Sequence, residues 1–471
     1  MPQNRFSKFT RQSTSFKLFI IGFIILLLMI PLGMVQSLIY ERNHSKNSVS
    51  KGIFDVWGNA QTLKGPILTI PYNSYYWRYY EERNKDTKKL VSKKELKKKL
   101  EYLHFLPSKL VIDASITPSI LYRSIYEAVV YKSKFNISGE FEKIDISQWQ
   151  IKEKDMLYNL ASLSFGISDL RGVKERIKVQ FDNNSSFFNP GINSSDVAST
   201  IGSGVSMPVV FDESKKHIKF NFKVSLRGSQ SIFFLPYGKE SVVNIISNWT
   251  NPSFVGDFLP NKREITKKGF KASWKVIDIN RAYPQKFKGK DINRLKQRYK
   301  YNNNKRFESS SFGVDLKIPV DYYQKSKRST KYGILIIILT FIVYFFVEIF
   351  IKQIIHPFQY ILVGFGLVIF FALLISFSEH IGFNKAFLIS ALSTITSITL
   401  YSISVFKKNK KAVLSIFAML SLFYSFIYLL LQLQDYSLLL GTVMLFITLS
   451  VIMYVSRDIN WYDLSGEKED N

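Results

Sequence analysis

The chain has 471 residues, a net charge of +28, 46% hydrophobic residues and no cysteine. The lack of cysteine excludes disulfide bonds, zinc–thiolate sites and cysteine nucleophiles. The mean hydropathy of +0.02 averages one very apolar part and one very polar part, and the length allows two or three domains.

The positive charge lies in the middle of the chain. Residues 1 to 40 contribute +4 and residues 332 to 471 contribute no net charge, so residues 41 to 331 contribute +24. Two interpretations stay open: a codon bias toward Lys, Asn, Ile, Phe and Tyr, or attraction to anionic lipid headgroups. Nucleic-acid binding is another common role of basic domains. We disfavour it, because the topology described below places this domain outside the cytoplasm.

Residues 1 to 40 predict a cytoplasmic N-terminus and a first transmembrane helix. Basic residues without any acidic residue precede an uninterrupted apolar run from Leu18 to Val35. This run is longer than the usual core of a signal peptide, and no clear small-x-small cleavage site follows it. We therefore favour a retained span over a cleaved signal peptide, with the basic start held in the cytoplasm by the positive-inside rule.

Residues 41 to 331 predict one large, mostly β domain on the other side of the membrane. Apolar and polar residues alternate with a period of two, as in strands with one buried face and one solvated face. This alternation is clearest in Ile218–Leu226, Phe270–Val276 and Val314–Val320. We expect antiparallel sheets in a sandwich or a barrel-like arrangement.

Two stretches of this domain depart from the β pattern. The stretch Lys85–Leu106 is dense in lysine, and its leucines lie partly at helical spacing. We expect a solvated helix or an exposed insertion there, with contact to a lipid surface as the alternative. The polar and basic stretch Tyr322–Lys331 is predicted to be the stalk that leads back into the membrane.

Residues 332 to 455 predict a bundle of five transmembrane helices. Each apolar run has about 20 residues, enough to cross a hydrocarbon core of about 30 Å. Backbone groups in lipid must be bonded within their own segment, which requires helices. The predicted spans are Tyr332–Ile351, Phe358–Phe377, Ala386–Phe406, Ala412–Leu431 and Tyr436–Val455.

The charged loops orient these six spans. Four lysines between residues 407 and 411 fall in a loop that is predicted to be cytoplasmic, whereas Glu379 and Asp435 lie in predicted outer loops, as the positive-inside rule requires. Both termini, including the tail of residues 456 to 471, are then cytoplasmic. The predicted fold class is an α+β membrane protein with one N-terminal transmembrane helix, a large mostly β extracytoplasmic domain and a five-helix C-terminal bundle.

Eight blocks of the sequence are spread over both predicted domains. They are Gln61–Pro71, Phe165–Gly172, Ser247–Pro260, Thr330–Tyr332, His356–Gly364, Ser378–Phe383, Ser437–Gly441 and Arg457–Tyr462. In this order they resemble the CreD family of bacterial inner-membrane proteins, and the lysine-dense stretch of residues 85 to 100 is the least similar part. The resemblance implies a multi-pass protein of the inner membrane with residues 41 to 331 in the periplasm.

The same resemblance implies a role in cell-envelope integrity. The family is associated with a carbon-source-responsive two-component system and with altered tolerance to envelope-acting agents such as colicins and β-lactams. The resemblance implies no reaction and supplies no catalytic residues. The residues themselves also indicate no catalytic site. The sequence has no His-Glu-x-x-His pattern, no phosphate-binding P-loop and no Gly-x-Ser-x-Gly elbow. We therefore expect no enzymatic activity, no cofactor and no metal ion.

Six polar residues at or near membrane depth are candidate functional positions. They are Glu348, His356, Glu379, His380, Asp435 and Asp458. Glu348 is expected to snorkel to the interface or to pair with Lys352. Glu379, His380 and Asp435 are expected at the outer face, as an interfacial cap or as a proton- or cation-sensitive cluster. Asp458, just past the last span, is expected to be an interfacial anchor.

A second candidate site is a block of the β domain that would contact a partner. Its residues are Trp249, Asn251, Pro252, Phe254, Gly256 and Asp257. In the preferred hypothesis the protein is a non-enzymatic envelope protein whose β domain contacts an unidentified envelope protein or polymer, while the bundle anchors it in the lipid bilayer. The alternative is a transporter or channel, which usually has broken helices, midplane charges or repeated halves.

Overall fold

The computed structural model describes residues 14–83, 90–281, 283–289, 310–318, 322–351, 353–406, 409–433 and 437–457. Contacts divide the chain into two compact units. Residues 48–319 form the β unit, and residues 1–47 together with 320–471 form the helical unit. The sequence predicts boundaries for the β domain at residues 41 and 331, which lie outside those of the β unit.

Eight α-helices occur in the described residues. They are α1 (Thr14–Trp57), α2 (Ser195–Ile201), α3 (Tyr322–Lys331), α4 (Gly333–Ile351), α5 (Pro357–Ile381), α6 (Phe383–Val405), α7 (Lys410–Gln432) and α8 (Ser437–Ser456). Among the described residues, six helices, α1 and α4 to α8, are long and apolar enough to cross a membrane. The predicted fold class is confirmed, since an N-terminal apolar helix, a large β-sheet region and a C-terminal bundle of apolar helices are all present.

Helix α1 is packed into the helical unit by close contact with glycines. Leu28 and Leu32 are buried. A Cβ added to Gly364 would lie 2.1 Å from Cδ1 of Leu28, and one added to Gly333 would lie 2.9 Å from Cδ1 of Leu32. Lipid tails are as apolar as leucine, so helices in a membrane associate through close packing at small residues. The first span is therefore part of the bundle core.

The predicted stalk is the helix α3. Although its composition is polar, one side of this helix is buried. The buried residues are Tyr323, Ser326, Ser329 and Thr330. The basic residues Arg328 and Lys331 lie in its last turn, where cations interact favourably with the partial negative charge of a helix C-terminus. This stretch therefore belongs to the helical unit as a short packed helix.

The described residues of the β unit contain 17 strands. They are β1 (Gln61–Arg83), β2 (Leu90–Phe105), β3 (Lys109–Arg123), β4 (Tyr126–Glu142), β5 (Ser162–Ile167), β6 (Lys178–Phe181), β7 (Asn184–Phe187), β8 (Asn189–Pro190), β9 (Gly204–Pro208), β10 (His217–Ser229), β11 (Ser231–Phe234), β12 (Glu240–Ser247), β13 (Pro252–Gly256), β14 (Lys262–Thr266), β15 (Gly269–Ile277), β16 (Lys286–Lys288) and β17 (Phe312–Leu316). Most neighbouring strands are antiparallel, but β1–β11 and β3–β12 are parallel pairs.

These strands form two sheets. One has the order β13-β17-β11-β1-β5-β9-β8, with β2 paired to β1 and β16 paired to β2, and the other has the order β14-β15-β12-β3-β4-β10-β6-β7. The two sheets face each other, and aromatic rings make contacts between them. The ring centroids of Phe165 and Phe222 are 5.0 Å apart, and those of Trp274 and Phe312 are 5.6 Å apart. Such packing around a shared apolar layer is typical of a β-sandwich.

Burial alternates along the strands that the sequence marks most clearly. In β10 the apolar side chains from Ile218 to Leu226 are buried, while Lys219, Asn221 and Lys223 between them are exposed. In β15 the side chains of Ala272, Trp274 and Val276 are buried, while Lys271 and Lys275 are exposed. The prediction of strands in both stretches is confirmed, because a period of two places one set of side chains in the sandwich core.

The helix predicted within Lys85–Leu106 is wrong. Residues 90 to 105 form strand β2, which pairs antiparallel with β1 from Leu68↔Phe105 to Arg83↔Leu90; residues 84 to 89 lie outside the described residues. The leucines lie partly at helical spacing, but the backbone of this stretch is hydrogen-bonded to β1 in a long ladder and is therefore a strand. The stretch is an exposed ribbon, which agrees with the alternative expectation of an exposed insertion.

A carboxylate at the start of a short turn ties three segments of the β unit together. Asp169 Oδ2 accepts from the backbone N–H of Asn59 at 2.9 Å, and its Oδ1 accepts from Arg171 Nε at 2.9 Å. Arg171 Nη1 donates to the carbonyl oxygen of Asp55 in the last turn of α1 at 2.6 Å. The side chain of Gln61, at the start of β1, donates to the carbonyl oxygen of Asp169 at 3.0 Å. Hydrogen bonds from the Arg171 guanidinium lower the pKa of the Asp169 carboxyl to about 2.

We predict that Asp169→Asn lowers the free energy of unfolding by about 2 kcal/mol at neutral pH, because charge-assisted hydrogen bonds are lost. The folded-state pKa lies below the unfolded value of about 3.9. The stabilisation by Asp169 is therefore present above about pH 4 and is lost as the pH falls toward 2. The measurement is urea unfolding of the detergent-solubilised protein, with limited proteolysis as the readout. It compares the free energies of unfolding of the variant and the parent chain at several pH values.

Glu264→Gln, on the exposed strand β14, is the control and is expected to change stability by less than about 0.5 kcal/mol. A loss in Asp169→Asn that stays the same from pH 7 down to pH 3 would contradict the proposed role of the charge.

Candidate functional site

The carboxylate of Glu348 is the centre of a buried polar cluster in the helical unit. Glu348 is 6% exposed. Its Oε1 accepts from Lys17 Nζ on α1 and from the backbone N–H of Ile355 at 2.8 Å, and its Oε2 accepts from the hydroxyl of Tyr360 at 3.0 Å. We call Lys17, Glu348, Ile355 and Tyr360 the Glu348 cluster.

The expectation that Glu348 snorkels to the interface is wrong. Its side chain is buried, and the cation beside it comes from α1, 331 residues earlier in the chain. Lys352, the partner expected from helical spacing, lies outside the described residues. Removing a charge from water is costly unless it is paired and its remaining lone pairs are bonded, and the cluster meets both conditions for the carboxylate.

Further polar contacts connect the helices near this cluster. The hydroxyl of Tyr344 on α4 lies 2.5 Å from that of Ser402 on α6. Nε2 of Gln353, just past the end of α4, donates to the carbonyl oxygen of Val405 at 2.5 Å. The rings of Tyr344 and Tyr360 meet with centroids 6.1 Å apart, so α4, α5 and α6 share one connected polar region.

His356 caps the helix that follows this region. Its Nδ1 accepts from the backbone N–H of Phe358 at 3.2 Å, while its own backbone N–H donates to Oε1 of Gln359 at 3.0 Å. Pro357 occupies the first helical position, where a backbone N–H would have no hydrogen-bond acceptor within the helix, so its absence loses no hydrogen bond. The sequence placed His356 among the functional candidates, and the contacts give it a capping role.

A second polar cluster surrounds Glu379 near the C-terminal end of α5. Its Oε1 accepts from the hydroxyl of Tyr323 on α3 at 2.9 Å and lies 4.0 Å from Nε of Arg42 on α1. The Glu379 side chain is 9% exposed. Lys46 Nζ lies 5.6 Å from the centroid of the Tyr323 ring. We call Arg42, Lys46, Tyr323 and Glu379 the Glu379 cluster.

Nearby hydrogen bonds extend this second region. Nζ of Lys325 on α3 donates to Oε1 of Gln432 at 3.1 Å, and Nε2 of Gln432 donates to Oδ1 of Asn384 at 2.8 Å. His380 is exposed. Asp435, the third expected member of an outer cluster, and Asp458 lie outside the described residues. The described partners of Glu379 are thus supplied by α1 and α3.

The two clusters lie at opposite ends of the membrane part of α1. Lys17 and Arg42 are 25 residues apart, which corresponds to about 38 Å along a helix. A hydrocarbon core of about 30 Å fits between them. Among the described residues, no three His, Asp or Glu side chains are grouped so that they could hold a metal ion.

The predicted interaction block of the β unit forms the edge of a sheet. Among the described strands, β13 (Pro252–Gly256) pairs only with β17. The ring of Phe254 meets those of Phe270 and Trp274 edge to face, each with centroids 5.7 Å apart. Phe254 thus anchors the strand, and its other edge carries no neighbouring strand in the described part of the chain.

The residues around this strand divide into structural and exposed ones. Nε1 of Trp249 donates to the carbonyl oxygen of Lys317 at 3.2 Å, and its ring packs against the core. A Cβ on Gly256 would lie 2.2 Å from the carbonyl oxygen of Ser311, so only glycine fits this position. Asn251 and Asp257 are exposed.

Residues 13–462 match the family described as Inner membrane protein CreD. The chain belongs to the CreD family. It is 31% identical over 447 residues to the inner membrane protein CreD of Escherichia coli K12, covering 94% of this chain and 93% of that protein. A crystal structure of a Legionella pneumophila protein with a proposed nutrient-binding role aligns with a TM-score of 0.21 and 9% identity, over 42% of this chain and 75% of that one.

Membership of the CreD family makes this a multi-pass inner membrane protein. Several of the sequence blocks that resemble the family have structural roles in this chain. Asp169 and Arg171 join the end of α1 to β1, His356 caps α5, and Glu379 contacts α3 and α1.

Sequence reasoning missed the partners of both membrane clusters. The sequence pattern places Lys17 in the basic start of the chain, whereas in the structure Lys17 forms the ion pair with Glu348. By sequence, Arg42 falls in the predicted β domain and Tyr323 in the predicted stalk. One signal was present, since an acidic residue inside an apolar span requires a partner. The distance along the chain hid which residue that partner is.

We predict that Glu348→Gln lowers the stability of the helical unit by about 3–5 kcal/mol, because Lys17 is left as a partly buried, unpaired charge. The double variant Lys17→Met, Glu348→Gln removes both charges and is expected to recover most of this loss. Thermal unfolding of the purified protein in detergent micelles compares the two single variants, the double variant and the parent chain.

The four proteins form a double-mutant cycle, which isolates the pairwise interaction. Losses that simply add in the double variant would contradict a direct Lys17–Glu348 pair.

Proposed function

We propose that this CreD-family protein supports the integrity of the cell envelope without catalysing a reaction. Residues 41 to 331 face the periplasm, both termini face the cytoplasm, and the bundle anchors the β unit in the inner membrane. The β unit contacts an envelope protein or polymer through the edge strand β13. The observation that carries this proposal is the exposed edge of β13 in the block that resembles the family.

The free edge of β13 supports partner contact through its backbone. An unpaired edge presents N–H and C=O groups that can bond to an added strand. Phe254 fixes the strand on the core through Phe270 and Trp274. Residues at the two ends of the strand, Asn251 and Asp257, are exposed and available to select a partner.

The membrane clusters support an anchoring role for the bundle. Glu348 is paired with Lys17 and hydrogen-bonded to Tyr360. Glu379 is bonded to Tyr323 and lies beside Arg42. Each carboxylate therefore connects α1 to the bundle, and the Coulomb energy of these pairs stabilises the helix packing. A transporter or channel would instead use such groups for a substrate or ion.

The proposed topology predicts different labelling of two engineered cysteines. The natural chain contains none, so single substitutions give unique labels. Glu264→Cys on β14 is expected to react with a membrane-impermeant maleimide in cells with a permeabilised outer membrane. Ser465→Cys is expected to react only after the inner membrane is lysed. Labelling of both positions under the same condition would contradict the topology, and the cysteine-free parent chain gives the background.

The proposed partner contact predicts that Ser253→Lys abolishes rescue of a null mutant's β-lactam tolerance. Strand alternation turns Ser253 away from the side on which Phe254 packs, and a lysine on an edge strand blocks the addition of another strand. Ile265→Lys on β14 is the matched control, because it adds the same charge to the edge of the other sheet. Rescue is measured as survival at equal protein level in the membrane.

Full rescue by Ser253→Lys would contradict partner contact through β13. Loss of rescue by the folded double variant Lys17→Met, Glu348→Gln, together with full rescue by Ser253→Lys, would favour the transporter or channel.

A further inference from the structure

The ladder between β1 and β2, the longest among the described strands, extends beyond the rest of its sheet. From Asn73↔Leu100 to Arg83↔Leu90, β1 and β2 pair over eleven residues, and no other described strand pairs with this part. At about 3.3 Å per residue, the length is about 36 Å. We call residues 73–83 and 90–100 the ribbon.

The ribbon exposes large apolar and aromatic side chains. Tyr75, Trp77 and Tyr79 are 50%, 51% and 69% exposed, and Leu96, opposite Trp77, is 52% exposed. A two-stranded ribbon is only marginally stable in water without a third strand or a packed face. Clustered exposed side chains of this type mark an interaction surface.

The two faces of the ribbon differ in composition. Because side chains alternate along a strand and the register pairs Tyr75 with Lys98, Trp77 with Leu96 and Tyr79 with Lys94, these six residues share one face. We call it the aromatic face. The opposite face contains Tyr76, Arg78, Tyr80, Glu82, Lys93, Glu95 and Lys97 by the same rule.

The ion pairs of the ribbon lie on the opposite face. Lys93 pairs with Glu82 at 2.6 Å, and Lys97 pairs with Glu95 at 2.9 Å. On the aromatic face, Nζ of Lys94 lies over the Trp77 ring, 5.0 Å from its centroid. Within the described residues, neither Lys94 nor Lys98 forms an ion pair with a carboxylate. The ribbon contains seven basic and three acidic residues, so it favours anionic partners.

The mixture of side chains on the aromatic face fits a lipid surface. Tyrosine and tryptophan are enriched where membrane meets water, because one part of each ring system is apolar and the other is polar. Lysine extends its ammonium group to headgroup phosphates while its methylene chain stays in the apolar layer. An aliphatic side chain such as Leu96 gains from entering that layer, whereas it offers no ring to stack on a sugar or a base.

We propose that the aromatic face of the ribbon binds the surface of an anionic phospholipid bilayer. Tyr75, Trp77, Tyr79 and Leu96 enter the interfacial layer, and Lys94 and Lys98 contact the headgroup phosphates. This contact is independent of the partner contact through β13. It also does not depend on which side of the inner membrane the β unit occupies.

The test places an environment-sensitive fluorophore on each face of the ribbon in the full chain. Tyr79→Cys reports from the aromatic face and Tyr80→Cys from the opposite face, and the chain has no other cysteine to label. The labelled protein is held in phosphatidylcholine nanodiscs and mixed with vesicles that contain phosphatidylglycerol. We expect a blue shift and quenching by spin-labelled lipid at position 79, and neither change at position 80.

The lysine contribution is tested by two matched double variants with the same change of charge. Lys94→Gln, Lys98→Gln is expected to weaken binding of these vesicles about 30-fold, because each lysine near an anionic surface contributes about 1 kcal/mol. Lys93→Gln, Lys97→Gln, on the opposite face, is expected to weaken it much less. Equal effects of the two variants would overturn the proposal, because they would indicate attraction by overall charge alone.

Three other results would also overturn it. One is the same spectral change with vesicles of pure phosphatidylcholine, and another is the same change with inorganic phosphate alone. The third is a change with soluble peptidoglycan fragments but not with lipid. Circular dichroism of the labelled proteins confirms that each variant is folded, so that a lack of response counts against the proposal.

Discussion

A buried ion pair between two distant parts of the chain controls the helical unit. Lys17 lies in the first described span and Glu348 in the second, 331 residues later. In a low-dielectric environment neither charge is tolerated alone, but the two together, with hydrogen bonds from Tyr360 and Ile355, are. The first helix and the C-terminal bundle must therefore fold as one unit, and the β unit is an insertion between its first two spans.

Within the β unit, β1 is the strand around which the other elements are arranged. It pairs with β2, β5 and β11, and its first residue, Gln61, is bonded to the turn that contains Asp169. That turn also bonds to the last turn of α1 through Arg171. A block of sequence that resembles the CreD family is thus explained by folding, because it joins the end of a helix to the start of the central strand.

The two exposed elements of the β unit differ in their relation to the family. Strand β13 lies in a block that resembles the CreD family, so a contact at its edge is expected to be shared by relatives. Of the two strands of the ribbon, β2 (residues 90–100) lies in the stretch that least resembles the family, so the lysines of the proposed lipid contact are expected to be particular to this protein. The two proposals together assign this protein an interaction edge at β13 and a basic, aromatic ribbon that contacts lipid.

The sequence by itself determined the six apolar helices and strands such as Ile218–Leu226, because membrane thickness and one-sided burial impose local periods that can be read directly. It did not determine the ribbon, since residues 90 to 100 are almost all exposed on both faces and have no alternation to read. Nor did it determine that Lys17 pairs with Glu348 or Arg42 with Glu379. Only the tertiary structure decided these contacts, because pairing between distant segments depends on which surfaces are buried together.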